Sequence, residues 1–397
     1  MPSSSLLALN AGSSSIKFTV FDADTLAPAL EGQIEGIGPS VTANLIAKGP
    51  DGKALGDMPD AVDAVNTHSE ALDLLLEHVI APHAGHCHAV GHRVVHGGTQ
   101  FAEPMLVDDT VLDTLRSFIP MARSHQPHNV AGIDAARAAM PGTPQIACFD
   151  TAIHRTVPEH RQLFAIPKAW GDKGIRRYGF HGLSYEAIAA QLPGLLGETA
   201  QGRVVICHLG NGSSVCGMEG GVSRATSMGF TPLDGLMMGN RPGHLDPGVV
   251  LYLLREEGVS PEEVSEMLHQ KSGLLGISGL SSDMRTLEAS EDPNARLAIT
   301  MFVDRLVQEI GLVAAALGGI DAIVFTAGIG ENSRTVRAQA LRQLDWLGFA
   351  LEEDANAANG PVITTPDSAK PALVVKTDEE GVIARHVARL IGLASAA

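Results

Sequence analysis

Apolar and polar positions along this chain change period repeatedly. Residues 6–18, LLALNAGSSSIKF, place two apolar runs around Asn10-Ala11-Gly12-Ser13-Ser14-Ser15. The pattern predicts two strands joined by a loop longer than the two residues of a tight hairpin. EALDLLLEHVI (70–80) has helical spacing, and HAVGHRVVHGG (88–98) reads as a strand ending in glycines. TVLDTLRSFIPMA and PHNVAGIDAARAAM read as helices, and PQIACFD (144–150) as a buried strand. This order of β and α predicts an α/β domain.

A second round begins near residue 151. IRRYGFHGLSYEAIAAQL predicts a loop running into a helix, with Ser184 as its N-cap. RVVICHLGNGSSVCGMEGG is again a strand, a Gly/Ser turn and a strand. A long helix is expected from Asp292-Pro293 to about Gly318. IDAIVFTAGIGENS reads as a strand and a glycine loop, followed by the helix SRTVRAQALRQLDWLG. TDEEGVIARHVARLIG is acidic and then helical. Gly12-Ser13-Ser14 and Gly212-Ser213-Ser214 share the same strand–turn–strand context. That echo points to a duplicated fold, two similar α/β domains whose Gly/Ser loops face one cleft.

The length of 397 residues fits two domains. Aromatic residues make up only 4%, so the cores must be mostly aliphatic. A formal charge of -17 argues against nucleic acid or an anionic membrane as partner. A small anionic ligand remains compatible if a cleft gathers positive groups. The four cysteines form no CxxC pair, which points to free thiols in a reducing cytoplasm. No run approaches a membrane span, and MPSSSLLALNAG lacks the basic start of a signal peptide.

The chemistry-bearing stretches each have a plain structural reading beside the functional one. The opening loop is either a hairpin tip or a nest of N–H groups and hydroxyls for phosphate oxygens, with Lys17 adding charge. HLGNGSS (208–214) is the same device preceded by His208. FTAGIGENS (325–333) is a turned βα connection or a loop bringing backbone close to an anion. It lacks the third glycine of a dinucleotide fingerprint, and Asp345 falls in a predicted helix, so a nucleotide loop of another class is preferred. HRVVH has zinc-helix spacing but lacks the glutamate and reads as a strand; His83, His86 and His88 fall in a polar loop. Arg93 ends a buried strand and wants an anion. Asp150 ends another, as helix cap or site residue. Arg241 lies in the Gly/Pro-rich loop MMGNRPGHLDPG. Neither a GxSxG elbow nor a P-loop is present.

NAGSSSIKF, GHRVVHGG, FDTAIH, RYGFHGLSY, HLGNGSS, MGFTPLDGLMMG, SGLSSDMR and FTAGIGENS, in this order, resemble the acetate kinase family. The resemblance runs from Leu9 to the TDEE segment at 377–380. It implies two duplicated RNase H-like α/β domains of the actin/sugar-kinase/Hsp70 type with nucleotide in the interdomain cleft. Residues 1–150 with 383–397 would form one domain. Residues 151–382 would form the other, with most of the nucleotide site and a homodimer interface. The implied reaction is reversible, magnesium-dependent, in-line phosphoryl transfer from ATP to acetate, giving acetyl phosphate and ADP. Manganese could replace magnesium.

Residue roles follow from the same resemblance. Asn10 and Glu379 would hold the metal. Ser13, Ser15 and Lys17 would face the phosphates, as would His208, Leu209, Gly210, Asn211 and Gly212. Asp283, Met284 and Arg285, with Gly328, Ile329, Gly330, Glu331 and Asn332, would surround the nucleoside. Arg93 and Arg241 would bracket the carboxylate and the moving phosphoryl group, His181 would stabilise the transition state, and Asp150 would orient the arriving group or an arginine. Val95, Phe180 and Pro232 would line the acyl pocket. The alternatives are a kinase of propionate or another short acid, and an ATP-dependent chaperone-like binding protein of the same fold. The last would not need Arg93, His181 and Arg241 together. Two stretches depart from the family: MARSHQP (121–127) for LAPLHNP, which sets Ser124 in place of a leucine of the acyl pocket, and GNRPGHLDP (239–247) for GTRSGDxDP. They leave acyl-chain preference open.

Overall fold

The opening loop is tighter than its six small residues imply. Strands β1 (Ser4–Ala11) and β2 (Ser15–Asp22) pair antiparallel with Ala11 opposite Ile16. Asn10 and Ala11 therefore extend β1, Ser15 starts β2, and Gly12 N–H closes the turn onto the Ser15 carbonyl at 2.8 Å. The computed structural model describes residues 2–38, 42–55 and 65–393. It divides into two compact units, Met1–Ala152 with Asp378–Ala397, and Ile153–Thr377.

The first unit is built on a sheet ordered β4-β3-β2-β1-β5-β7-β6, with β3 (Pro28–Glu35), β4 (Asn44–Lys48), β5 (His86–Val94), β6 (Met105–Leu106) and β7 (Gln145–Phe149). The second unit has a sheet ordered β10-β9-β8-β11-β12, with β8 (Arg203–Leu209), β9 (Ser213–Glu219), β10 (Val222–Thr226), β11 (Ala322–Thr326) and β12 (Ala372–Val374). The runs β3-β2-β1-β5-β7 and β10-β9-β8-β11-β12 share one scheme: two antiparallel pairings, then two parallel ones. The duplication suspected from two GSS tripeptides is thus a duplication of topology, with each glycine loop joining the first two strands.

Parallel central strands are covered on both faces, so they read as unbroken apolar runs. QIACF of β7 and AIVFT of β11 are buried at every position. In β8 and β11 the faces separate by parity. Val205, Cys207, Ile323 and Phe325 join the core under the helix Pro293–Leu317, while Val204, Ile206, Ala322 and Val324 pack with the helix Gly182–Leu196. The helix Pro293–Leu317 has the ends its sequence specifies. Asp292 caps the Asn294 N–H, Pro293 opens the first turn, and Gly318 closes it at φ 73°. In the first unit the last helix, Glu379–Leu390, lies directly on β5. A Cβ on Gly91 would sit 2.3 Å from Ile383 Cγ2.

Three expectations are corrected. Ser184 does not cap the helix Gly182–Leu196. His181 occupies the N-cap at φ 58°, and Ser184 is buried inside the first turn. The glycine stretch after β11 is a short helix, Ala327–Asn332, entered through Ala327 at φ 64°. His86 and His88 belong to β5 rather than to a polar loop, with their rings edge to face at 4.7 Å. Among the described residues, no helix is long and apolar enough to cross a membrane.

His92, His96 and His154 are buried, and burial pushes each imidazole down to about 4. His154 Nε2–H donates to the Phe180 carbonyl at 3.0 Å, so Nδ1 accepts from Ser223 Oγ at 2.9 Å. The unfolded chain takes up these protons near 6.5 and the folded one near 4, so stability falls as pH drops through that window. The melting temperature is expected to fall between roughly pH 6.5 and 4.5, and to fall less in His154→Gln, which removes one of the three. A flat melting profile across that range would contradict these buried neutral histidines.

Candidate active site

In the first unit, strand register gathers four of the residues singled out in the sequence. β5 lies between β1 and β7, so Asn10, Arg93 and the residue after β7, Asp150, arrive at the same strand ends. Arg93 donates to Asp150 through Nη2 at 2.7 Å and Nε at 3.1 Å, and through Nη1 to Asn10 Oδ1 at 3.5 Å. Glu379, brought in by the helix seated on Gly91, places Oε2 3.9 Å from Arg93 Nε. Asp150 is only 1% exposed, so its charge must be matched locally. Burial works to lower the Arg93 pKa, but the Asp150 and Glu379 carboxylates outweigh it and hold the guanidinium protonated. Glu379 itself is pushed up, to about 7. Burial is the main cause; Asp150 adds to it and Arg93 opposes it.

The remaining first-unit residues are looser. Ser13 and Lys17 are exposed and Ser15 half-buried at the turn, with Lys17 paired in register opposite Asn10. Val95 is buried, and its N–H donates to Asn129 Oδ1 at 3.0 Å. Asn129, which the sequence did not single out, also donates to the Ala11 carbonyl at 2.9 Å and so ties the ends of β1 and β5 together. His68 braces the glycine loop from the other side, donating Nε2–H to the Gly12 carbonyl at 2.8 Å. Ser124 is exposed, with its hydroxyl 2.8 Å from His125 Nδ1.

In the second unit, the turn from β8 to β9 is folded on itself. Gly210 N–H donates to the Gly212 carbonyl at 3.1 Å and Ser213 Oγ to the Gly210 carbonyl at 2.9 Å. Two long side chains converge on it. A Cβ at Gly212 would lie 3.2 Å from His181 Nε2 and 3.7 Å from Arg241 Nη1. His181 reaches this point through its left-handed backbone, which costs a non-glycine residue about 1–2 kcal/mol. Its ring stacks on His208 at 4.1 Å, and Nδ1 lies 2.8 Å from Ser214 Oγ. His208 Nδ1 meets Ser184 Oγ at 2.8 Å, so the expected cap instead orients a ring of the loop. Arg241 Nη1 donates to the Pro232 carbonyl at 3.2 Å. Phe180, beside His181, is fully buried.

Beside this turn opens a cavity of about 550 Å³. Gly210, Asn211, Asp283, Met284, Arg285, Gly328, Ile329 and Asn332 line it, eight of the residues expected around a nucleotide. Three more, Ser282, Glu288 and Ser333, were not singled out. Leu209, Gly330 and Glu331 face elsewhere. Leu209 is part of the core. The Glu331 carboxylate accepts from Ala327 N–H at 2.9 Å and Thr377 N–H at 3.2 Å, fastening the glycine helix. The Gly330 and Glu331 carbonyls both take Arg337 Nη1 at 2.9 Å. Arg337 is completely buried, and burial lowers its pKa to about 10.

A family model described as the acetokinase family matches residues 5–385. The chain belongs to the acetokinase family. Curated relatives named acetate kinase include one from Rhodopseudomonas palustris, 49% identical over 97% of this chain and 98% of the relative. Another, from Nitrobacter hamburgensis, is 47% identical over 98% of this chain and 96% of its own length. Among solved structures, an acetate kinase from Porphyromonas gingivalis superimposes with a TM-score of 0.87 at 33% identity, covering 98% of this chain and 99% of that one. A propionate kinase from Francisella tularensis does so with a TM-score of 0.89 at 34% identity, covering 96% and 98%. The duplicated α/β fold expected from the sequence is the fold of these acetokinase-family structures.

In this acetokinase the first-unit cluster is the candidate cation site. Among the described residues, no group of three or more His, Cys, Asp or Glu side chains forms a ready-made metal cage. Magnesium does not need one, since it commonly keeps waters and takes one or two carboxylates plus substrate phosphates. Glu379 and Asn10 supply hard oxygen donors. Asp150 and Glu379, with Glu380 near them, stand against the Arg93 guanidinium and Lys17, leaving room for added positive charge. The donor set therefore fits a divalent cation of the magnesium type.

Proposed function

We propose that this chain transfers the γ-phosphoryl group of ATP reversibly to acetate, giving acetyl phosphate and ADP. The observation that carries the reading is the convergence of His181 and Arg241 on the Gly212 turn, beside a cavity lined by eight of the expected nucleotide residues. An acetate oxygen forms a bond to the γ-phosphorus as the bond to the bridging oxygen breaks, and ADP leaves with that electron pair. The carboxylate is already a nucleophile, so no strong base is required. The task left to the protein is to orient the two reactants and to stabilise charge on the equatorial oxygens. Arg241 and His181 do this in the second unit. Arg93, fixed by Asp150, offers its guanidinium to the acid and the phosphoryl group from the first. Val95, Phe180 and Pro232 shape the acyl site, and Ser13, Ser15 and Lys17 serve the phosphates. A magnesium ion on Asn10 and Glu379, or manganese in its place, would supply phosphate charge neutralisation.

We take the two compact units as the working domains, with homodimerisation through the second, in the cytoplasm. Exposed apolar side chains on the helix Pro247–Arg255, Val249, Leu251 and Tyr252, support such an interface. A second reading, propionate as the preferred acid, is favoured by the propionate kinase among the structural relatives and by Ser124. The test is ADP release with acetate, propionate, butyrate and formate. Acetate is expected to give the highest kcat/KM. A higher value for propionate selects the second reading. ATP turnover with no dependence on any acid rejects both and favours a chaperone-like binder.

Glu379→Gln keeps the side-chain shape and removes the carboxylate. The magnesium concentration for half-maximal rate is expected to rise roughly tenfold or more. The melting temperature should hold, because a neutral amide at this position relieves the crowding of two carboxylates. An unchanged magnesium titration removes Glu379 from the metal site.

A further inference from the structure

Glu309 is the misplaced charge of the second unit. It lies on the buried face of the helix Pro293–Leu317 with Leu306, Ile310 and Val313, and is 2% exposed. A carboxylate there is costly unless paired. Its Oε1 lies 2.9 Å from His244 Nδ1, the only ion pair it makes among the described residues, and Oε2 has no hydrogen-bond partner. On its other edge His244 presents Nε2 3.3 Å from Asp234 Oδ1, and Asp234 Oδ2 in turn accepts from Arg177 at 3.1 Å. Ionised carboxylates only accept hydrogen bonds, so an imidazole between two of them satisfies both by carrying both protons. The Arg305 charge opposes that state, and Arg161 and Arg177 line the same cavity as His244 and Glu309. The hydrogen bond to Glu309 leads the other contributions, burial works against it, and the net effect raises the His244 pKa above 6.5.

His244 stands three residues after Arg241, in the GNRPGHLDP stretch that departs from the family. Its backbone N–H donates to the Gly235 carbonyl at 2.9 Å. Between them Gly243, at φ 71°, passes so close to Leu236 that a Cβ would lie 2.3 Å from its carbonyl oxygen. Asp234 is two residues after Pro232, whose carbonyl takes Arg241 Nη1. One imidazolium thus links both segments that hold the Arg241 guanidinium to a helix of the core.

We propose that His244, clamped as an imidazolium between Glu309 and Asp234, is a positioning residue for Arg241, so that turnover in this chain falls as His244 loses its proton. The proposal rests on the role given above to Arg241. The charged form is present below the raised folded value and is lost as pH rises through it, so the effect is an alkaline loss of kcat.

The test combines histidine C2-proton NMR with kcat and KM from about pH 5.5 to 9, for the unmutated protein, Glu309→Gln and His244→Gln. The His244 resonance, assigned by its absence in His244→Gln, is expected to titrate above 6.5. In Glu309→Gln its proton affinity should fall roughly tenfold, and the alkaline loss of kcat should move down by the same interval. His244→Gln should lack that step at a lower kcat, with KM for ATP unchanged. Should His244→Gln not fold, His244→Asn supplies the assignment and Glu309→Gln decides, since it keeps the shape and removes only the charge. A His244 midpoint that does not move in Glu309→Gln overturns the clamp. A midpoint that moves while the alkaline limb stays fixed overturns the positioning role and leaves the kinase reading intact. Absence of turnover with every acid overturns the kinase reading and this role together, while the NMR titration still decides the clamp.

Discussion

Arg93→Ala is expected to lower kcat by roughly 10²–10³ and to destabilise the first unit by about 3–5 kcal/mol. The two losses have separate causes. Asp150 is 1% exposed and takes three hydrogen bonds from the Arg93 guanidinium, two from Nε and one from Nη2. Truncating the arginine strands that carboxylate beside Glu379, an uncompensated buried charge. On the role proposed for Arg93, the rate loss comes from removing a fixed cation from the acid and the transferring phosphoryl group. The double variant Arg93→Ala with Asp150→Asn separates them. It should regain most of the urea midpoint, because the Asp150 carboxylate is no longer stranded, while kcat stays low. Arg93→Lys should recover more stability than rate, since an ammonium matches the charge but lacks the planar fork. A near-normal kcat in Arg93→Ala would remove this residue from the mechanism.

What the sequence revealed and what it hid follow one physical division. Local chemistry was legible. The helix Pro293–Leu317 begins after Asp292 and ends before Gly318, because its caps act over neighbouring residues only. The duplicated strand–turn–strand units were legible because both glycine loops carry the same tripeptide. Features set at a distance were not. Ser184 looks like a cap, but tertiary contacts hold His181 left-handed and take that position. FTAGIGENS reads as a loop, yet Glu331 and Arg337 bind its backbone from either side and draw it into a helix. Arg337 sits in a polar-looking segment, RTVRAQALRQ, and nothing local reveals that Asn356 and the carbonyls of residues 330 and 331 bury it. Leu209 lies within the phosphate motif, but strand alternation turns it into the core. In the site, residue types were readable wherever a motif carried them. The supports Asn129 and His68 belong to no motif and became visible only through their hydrogen bonds.

Arg241→Ala should behave differently from Arg93→Ala, and the contrast tests the separate roles proposed for the two arginines. Arg241 donates to a neutral carbonyl, that of Pro232, and rests by the Met238 sulfur at 3.7 Å. Losing a donor to a neutral carbonyl costs on the order of 1 kcal/mol, well below the cost of stranding a buried carboxylate such as Asp150. The part of the melting-temperature loss that comes from this hydrogen bond should therefore be smaller than the loss from stranding Asp150 in Arg93→Ala. The rate should still fall by roughly 10² or more, because a preorganised cation aimed at the Gly212 turn is lost. KM for ATP should change little, since the 550 Å³ cavity is lined without Arg241. Arg241→Lys should return only part of the rate. His181→Ala removes the other group facing Gly212 and should cost a similar factor. The double variant should lose less than the product of the single losses, if both side chains act on the same transferring group as proposed. Steady-state kcat and KM with a thermal melt for each variant make the comparison. A fully multiplicative loss would place the two side chains on separate steps, and an Arg241→Ala enzyme at normal kcat would remove Arg241 from the chemistry.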